Sequence, residues 1–355
     1  SPLTVESGKG YFLNTTSGTI TINLPAGSAG DIVAFKDYAN TWDNNSVTVT
    51  PNGSDKIGGS VGSANLSTES QSVTLIFADS TKGWLDIHDS TSNVQSAQYI
   101  TATGGTVTCT GDFKIHTFTG PGTFCVSNAG NAAGSNKVDY MVVAGGGGGG
   151  GRDHGSGGGA GGYRESPGSA SCYAASPLGV SPAVALSVPA TAYPITVGGG
   201  GAGRTAQPCS SGTSGANSVF STITSAGGGA GGGGPGVGLD GGSGGGGKNN
   251  NTQKGSGNTP SVSPPQGNDG GIAGYGSPHY GMGGGGGAGA AGSAGNPSAG
   301  GAGGGGVTSS INGTPTARAG GGGGSSYNGG TAGAGGAGGG GTGTTGTSSN
   351  GTAGT

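Results

Sequence analysis

Apolar and polar residues alternate in short stretches over the first 90 residues of the chain. Each stretch is five or six residues long, and Gly, Asn, Pro or Ser separates it from the next. Alternation with a period of two is typical of a strand that buries one face. The alternating stretches are residues 19–24, 31–35, 46–50, 72–77 and 83–87. We therefore predict a small β domain over residues 1–90.

A second, shorter β module is predicted after a polar linker over residues 91–98. It covers residues 99–143, where residues 114–118 and 122–126 flank a Thr-Gly-Pro turn. Apolar runs on both sides of such a turn indicate a hairpin. No stretch of the chain shows the period of an amphipathic helix, so the sequence predicts essentially no α-helix.

The pattern changes completely beyond Met141. Of the 95 glycines, 78 lie between Met141 and Thr355, in unbroken runs such as residues 145–151 and 283–287. Glycine has no side chain to bury and loses more backbone freedom on ordering than other residues do. A hydrophobic core therefore cannot be what holds this region together.

Three architectures are compatible with so much glycine. Disorder is one, but disordered chains usually carry many charges, and this region has only six Lys or Arg and four Asp or Glu residues. Collagen requires glycine at every third position, which the runs of five to seven glycines break. The third is a polyglycine II bundle, in which extended threefold helices bond sideways through their amides. We predict this bundle for residues 144–355.

Segments of different composition interrupt the glycine runs and are predicted to be loops. They carry the aromatic, proline, asparagine and charged residues of this half of the chain, while Ala and Ser within the runs are expected at the rim of the bundle. The interrupting segments are residues 163–197, 204–225, 248–281 and 307–318.

Aromatic and charged residues in these segments are the candidates for binding a partner, because loops on a rigid scaffold commonly carry recognition. The alternative is that the same side chains only cover the rim. The candidates are Tyr163, Arg164, Tyr173, Tyr275, His279, Tyr280 and Tyr327.

Four cysteines permit three pairings, and the sequence alone does not choose between them. Their positions favour Cys109 with Cys125, in short strands of one module, and Cys172 with Cys209, in successive interrupting segments. Four free thiols are the alternative.

Composition argues against several other functions. A net charge of -3 over 355 residues offers no basic surface for nucleic acid. His88, His116, His154 and His279 are far apart and have no Cys or acidic partner at ligand spacing, so we expect neither metal nor cofactor. An enzyme is the least favoured class.

Several stretches resemble the glycine-rich domain found in structural proteins of marine and tailed bacteriophages. Residues 138–144 running into seven glycines are the most specific of them. The first domain also resembles phage tail-fibre modules. The stretches that carry these resemblances are residues 118–124, 138–151, 193–199 and 218–228 for the glycine-rich domain, and 22–26, 30–33 and 82–84 for the fibre modules.

The resemblance implies a virion fibre or adhesin on the particle surface, without catalytic residues. More loosely, the chain is similar to tip adhesins of T-even-like phages, in which loops on polyglycine helices bind receptors. Implied partners are other virion subunits, copies of the same chain, and a host glycan or outer-membrane protein. A purely structural fibre or capsid subunit and a non-viral ice-binding protein remain alternatives.

Overall fold

The computed structural model describes two compact units and is all-β, with no helix in its described residues. Among these residues there is accordingly no helix that could span a membrane. One unit comprises Ser1–Thr101 and Ser127–Asn136, and the other Ala102–Val126 and Lys137–Thr355. The described residues are 2–87, 96–131, 133–151, 154–168, 173–181, 185–204, 210–234, 236–248, 253–274 and 276–345.

The described strands are short. They are β1 (Leu3–Thr4), β2 (Lys9–Leu13), β3 (Ile20–Asn23), β4 (Ile32–Asp37), β5 (Val47–Thr50), β6 (Ala64–Leu66), β7 (Ser72–Asp79), β8 (Gly83–Asp86), β9 (Ile100–Thr103), β10 (Thr106–Thr110), β11 (Phe113–Thr117), β12 (Gly122–Ala129), β13 (Lys137–Val138), β14 (Tyr140–Val143), β15 (Tyr163–Ser166), β16 (Leu186–Ser187), β17 (Ala192–Thr196), β18 (Ser218–Phe220), β19 (Ile223–Ser225), β20 (Val307–Ser309) and β21 (Thr316–Arg318).

The first unit contains two four-stranded sheets, in the orders β1-β3-β5-β6 and β2-β4-β7-β8. Alternate residues of their strands are buried and form one hydrophobic core. Trp42 and Trp84 are both fully buried in that core, and the Phe77 ring meets Trp84 edge-on at 5.5 Å. The period-two stretches of the sequence thus bury one face, as predicted.

All five predicted strands of this unit are confirmed, as β3, β4, β5, β7 and β8. The strands β1, β2 and β6 were missed by the sequence reasoning. β1 and β6 have two and three residues, which is too few for an alternation to be recognised. β2 buries only Leu13, so its sequence shows no clear alternation of apolar and polar residues.

The predicted hairpin over residues 114–126 is wrong in its pairing. β11 pairs antiparallel with β10, whereas β12 pairs with β17, whose residues lie about 70 positions further along the chain. β12 belongs to a five-stranded sheet of order β19-β18-β17-β12-β9. Residues 99–143 are divided between the two units. Short connections favour hairpins, but here pairing with a distant strand replaces the local one.

Extended glycine segments fill most of the second unit, and their hydrogen bonds repeat every three residues. A β ladder between antiparallel strands alternates with a period of two, whereas a threefold helix returns to the same face after three residues. One such ladder joins Ala144 N–H to the Gly162 carbonyl, Gly147 to Gly159 and Gly150 to Ser156, at 3.1, 2.8 and 3.0 Å. The prediction of polyglycine II helices is therefore confirmed, and we call each helix a rod.

The rod over residues 282–288 shows how the rods pack. Three consecutive glycines of this rod face in different directions, so each forms hydrogen bonds with a different pair of neighbouring rods. Gly283 donates to Gly247 and accepts from Gly157, Gly284 donates to Ser293 and accepts from Gly271, and Gly285 donates to Gly322 and accepts from Gly304. Six different rods surround this one, and its backbone groups are paired without any side chain.

Close packing explains why the interior residues are glycines. A Cβ atom added to Gly285 would overlap the carbonyl oxygen of Gly158, and one added to Gly283 would overlap that of Gly271. At the edge of the bundle the constraint disappears, since a Cβ on Gly305 meets nothing within 4 Å. The glycine requirement therefore belongs to the rods' contacts and not to their own conformation.

The expectation that Ala and Ser occupy only the rim is wrong. Ala160, Ala288 and Ala319 are fully buried and form a small apolar cluster with Tyr163 and Val307. Ala288 N–H donates to the Ala319 carbonyl at 2.9 Å, so these alanines keep the rod hydrogen bonds. A methyl group fits there because these residues lie where the rods reach larger apolar side chains.

Candidate functional site

The rods run back and forth between two ends of the second unit. One end carries β14, β15, β20 and β21, and we call it the strand end. At the other end, Ser325 N–H donates to the Gly155 carbonyl, and His154 and Tyr327 lie close to these two residues in the sequence. We call this the aromatic end. The rod over residues 282–288 connects the two ends and is about 20 Å long at 3.1 Å per residue.

Three of the predicted candidates come together at the aromatic end. The rings of His154 and Tyr327 stack, with centroids 4.9 Å apart and planes 22° apart. Tyr280 meets His154 at 6.0 Å and 78°, and its ring lies 6.5 Å from that of Tyr327. His279, Tyr280 and Tyr327 are each partly exposed. Residues that are far apart in the sequence thus form one aromatic cluster.

Backbone hydrogen bonds connect the loops that carry this cluster. Tyr327 N–H donates to the His279 carbonyl at 2.7 Å, and His279 N–H donates to Pro297 at 3.2 Å. His279 Nδ1 lies 2.8 Å from the Asn328 carbonyl oxygen, so this nitrogen carries the donated proton. Tyr280 has a φ of 43°, a left-handed conformation that is rare for a bulky residue and that clusters at functional sites. The loops are therefore fixed relative to one another.

Three of the loops at the aromatic end contain no Lys, Arg, Asp or Glu, although Arg152 and Asp153 directly precede His154 in the sequence. The three loops are residues 276–280, 296–299 and 326–331, which offer hydroxyl, amide and carbonyl groups beside the rings. Asn328, Ser298 and Ser277 are exposed. These three loops can therefore stack and hydrogen-bond with a ligand.

Tyr163 lies at the strand end and is only 1% exposed, which removes it from the receptor candidates in the folded protein. Its hydroxyl donates to Glu165 Oε2 at 2.9 Å. Burial, followed by the negative charge of Glu165, raises the pKa of Tyr163 well above its usual value. The structural alternative applies to this side chain: it fills the end of the bundle.

Glu165 is a buried carboxylate whose partners come from distant parts of the strand end. Besides Tyr163, the backbone N–H of Ser176 donates to it at 2.9 Å and the Ser309 hydroxyl at 2.6 Å. Burial and the charge of Glu165 also raise the pKa of Tyr173. This network ties β15 to β20 and to the segment around Ser176, so its role is structural.

The remaining predicted residues are distributed as follows. Arg164 lies in β15 at the strand end and is half-buried, as is Tyr173. Tyr275 lies outside the described residues. The described candidates in residues 163–197 therefore lie at the strand end, whereas those in residues 248–280 lie at the aromatic end.

His154 was missed as part of the cluster, since the sequence showed only an isolated histidine. One signal was available. His154 follows a glycine run, and so does Tyr327. Two such residues lie at the same end of the bundle when the rods that precede them run in the same direction. Recognising this would have required the rod directions, which glycine runs do not reveal.

The predicted bond between Cys109 and Cys125 is not formed. Both are free and exposed. Cys109 lies in β10 opposite Lys114, and Cys125 lies in β12 opposite Ala192, so the two cysteines belong to different sheets. Cys172 and Cys209 lie outside the described residues. Among the residues described, no group of three or more His, Cys, Asp or Glu side chains is placed to hold a metal ion.

Comparison with known proteins finds two family models that match the chain. The family model described as glycine-rich domain matches residues 119–355, about two thirds of the sequence. The chain belongs to the glycine-rich domain family. Its residues 1–88 match a second model, the N-terminal domain of bacteriophage T4 gp9/10-like proteins. The family boundary at residue 119 precedes the first rod, and so includes β12, β14 and the strands that flank the glycine runs.

A curated relative of the first domain is the baseplate wedge protein gp10 of Enterobacteria phage T4. It is 36% identical over 78 residues, which is 21% of this chain and 13% of that protein. The chain thus spans only a small part of this relative. Together the two family matches support a bacteriophage structural protein that is a component of the virion.

Proposed function

We propose that this chain is a tail protein of a bacteriophage that binds the host cell surface through the aromatic end of its polyglycine bundle. In this proposal the N-terminal domain attaches the chain to other virion proteins, in copies that form a homo-oligomer on the particle surface. The proposal includes no catalytic step and no cofactor.

The aromatic cluster is the observation that carries the proposal. Aromatic rings bring large contact area at low cost in conformational entropy, and they are characteristic of recognition surfaces. Here His154, Tyr280 and Tyr327 are partly exposed at one end of a scaffold that has almost no other chemical variety. Rods and backbone bonds hold the rings in place before any ligand arrives, which reduces the cost of binding.

A purely structural tail subunit is the second candidate. The relationship of residues 1–88 to a baseplate wedge protein favours it, because that relative is named for its place in an assembly. In that case the aromatic cluster would only close the end of the bundle.

Binding of the purified, fluorescently labelled chain to host cells tests the two candidates. The double variant Tyr280→Asn, Tyr327→Leu removes two rings at the aromatic end, and Asn accepts the left-handed conformation of residue 280. Arg164→Ala at the strand end is the matched control. We expect at least a tenfold loss for the double variant and less than a twofold change for the control.

The other outcomes are equally informative. Loss with Arg164→Ala alone would move recognition to the strand end and overturn the proposal. Unchanged binding by both variants, with unchanged thermal unfolding, would place recognition outside the bundle. A wild-type chain that does not bind host cells would favour the structural subunit.

A further inference from the structure

We infer that strand β10 pairs edge to edge with β10 of a second copy of this chain. The proposed function includes copies of the chain on one particle, and the inference rests on that part of it by naming a surface through which two copies meet. The hairpin of β10 and β11 lies between the two family matches, which end at residue 88 and begin at residue 119. Neither family model covers it, so its pairing surface is a property of this chain's own hairpin.

The β10–β11 hairpin is a two-stranded sheet that has no third strand in the described part of the chain. All five residues of β10 are exposed, and the exposed fractions of Val107 and Phe113 are 45% and 44%. A two-stranded hairpin is only marginally stable in water, whereas three or more strands with an apolar face are stable. The hairpin therefore gains stability when a further strand joins it.

Two contacts of His116 anchor β11 to the rest of the second unit. His116 Nδ1 lies 2.8 Å from the Gly104 carbonyl oxygen, and the His116 ring meets Phe124 of β12 edge-on at 5.1 Å. β11 also carries Lys114, and a lysine on an edge strand opposes pairing with other chains. β10 is consequently the strand of the hairpin whose edge is open to a partner.

The β10 edge has none of the features that protect edge strands from pairing. Its sequence is Thr-Val-Thr-Cys-Thr, without charge or proline, and its register with β11 contains no bulge. Four of its five residues are β-branched, which favours an extended strand. Among the described strands at sheet edges, β10 is the longest that carries no charge. Its outer N–H and C=O groups form a template for another strand.

A second copy of β10 matches this edge. In antiparallel pairing around a two-fold axis at Thr108, Thr106 lies opposite the partner's Thr110, and Val107 lies opposite the partner's Cys109. Thr–Thr pairs form cross-strand hydrogen bonds, and none of the five pairs brings like charges together. Main-chain hydrogen bonds supply the affinity when one strand adds to another. The two hairpins then form one four-stranded sheet.

Cysteine cross-linking of the purified full chain tests this pairing. Cys109 and Cys125 are free and exposed. In the inferred register the two copies of Cys109 are diagonal neighbours, about 7–8 Å apart. A bismaleimide of that reach should join two chains in the wild type and in Cys125→Ser, with at least a tenfold lower yield in Cys109→Ser. Equal yields of cross-linked dimer from both variants would overturn the inference.

Sedimentation equilibrium measures the same contact without a cross-linker. Thr108→Lys places two like charges opposite each other across the two-fold axis, where they repel. Thr117→Lys is the matched control, because it adds the same charge to an exposed residue of β11. We expect dimerisation to weaken at least tenfold for Thr108→Lys and less than twofold for Thr117→Lys. High salt should partly restore the dimer of Thr108→Lys by screening the repulsion.

Equal dimerisation by the two lysine variants would overturn the inference, and so would a monomeric wild-type chain. Amide exchange covers a different occupant of the edge. Protection of β10 that appears only when another virion protein is added would assign the edge to that protein and would also overturn the inference. Host binding is measured separately: a monomeric chain that binds host cells excludes the β10 contact alone. A chain that dimerises through β10 but binds no host cells contradicts only host binding.

Discussion

The two units of this chain exclude water by opposite means. In the first unit, large side chains such as Trp42, Trp84 and Leu75 are fully buried between two sheets. In the second, the rod over residues 282–288 is surrounded by six others, and nearly all of its contacts are made by backbone atoms. Burial of apolar area stabilises the first unit, whereas the second depends on pairing of its amides.

This difference determines how each unit responds to substitution. A hydrophobic core accepts changes that preserve volume and shape, because apolar attraction is not directional. A polyglycine lattice accepts almost no added atom in its interior, because the neighbouring carbonyl already occupies the place of the Cβ. Both tryptophans lie in the first unit, so tryptophan fluorescence reports on it alone, and hydrogen exchange can follow the bundle separately.

The largest effect is expected for valine in the interior of the bundle. Gly285→Val would drive a branched side chain into the Gly158 carbonyl and separate two rods. Several paired amides would lose their partners, at about 1–3 kcal/mol each. We expect loss of exchange protection throughout the neighbouring rods, with unchanged tryptophan fluorescence.

Ser256→Val is the control for this substitution, because Ser256 is exposed. We expect exchange protection close to that of the wild type. If Gly285→Val and Ser256→Val are tolerated equally, the lattice is not what holds the bundle together.

A smaller effect is expected in the first unit. Trp84→Ala leaves a cavity against Phe77 and should reduce the free energy of unfolding of this unit by about 3–5 kcal/mol. Urea unfolding monitored by the fluorescence of Trp42 measures this change. Phe12→Ala, at a side chain 75% exposed, should cost less than about 0.5 kcal/mol. A similar loss for both would show that burial does not stabilise this unit.

Asp37 provides an intermediate effect that depends on pH. Burial acts to raise the pKa of its carboxyl, but the backbone N–H groups of Trp42, Thr41, Ser70 and Ala39 outweigh it, and the net pKa is lowered. A lowered pKa in the folded state means that this stabilisation is present above about pH 4 and is lost as pH falls through the folded value.

We therefore expect Asp37→Asn to destabilise the first unit by about 1–3 kcal/mol at pH 7 and by less at pH 3. Urea midpoints at both pH values, read by tryptophan fluorescence, measure the difference. A deficit that stays constant with pH would mean that the ionised form of Asp37 contributes nothing.

The smallest effect is expected at the edge of the bundle. A methyl group on Gly305 meets open space, and alanine restricts the unfolded chain more than glycine does. Gly305→Ala should change stability by no more than about 1 kcal/mol, in the stabilising direction. The neighbouring Gly304→Ala would overlap the Ala290 carbonyl and should be clearly destabilising. Equal effects at the two positions would contradict the assigned rod contacts.

Composition and alternation were sufficient to predict the fold class of each unit, but not which strands or rods pair with one another. Period-two stretches identified β3, β4, β5, β7 and β8, since one buried face leaves that pattern. The pairing of β12 with β17 left no local signal, because it is set by contacts between distant residues. In the bundle, every rod has nearly the same sequence, so the choice of neighbours cannot be read from composition.

The candidate site was predictable only in part for the same reason. His279, Tyr280 and Tyr327 were found because aromatic residues are rare in this half of the chain. Their meeting with His154, and the burial of Tyr163 at the opposite end, depend on the direction of each rod. That direction depends on where the chain turns, and some turns consist of the same small residues as the rods, such as the turn closed by the bond from Gly287 N–H to the Ala290 carbonyl.

The threefold repeat of the rods also limits how the gene for this protein can change in length. Repeated glycine codons favour slippage during DNA replication, which adds or removes whole codons. One extra glycine inside residues 283–287 would rotate everything after it by about 120°, so that each later residue would face a different neighbour. Three extra glycines would restore the original directions and lengthen the rod by about 9 Å. Among homologous genes, interior runs should therefore differ in steps of three codons, while the loops at the aromatic end are free to vary in length and sequence.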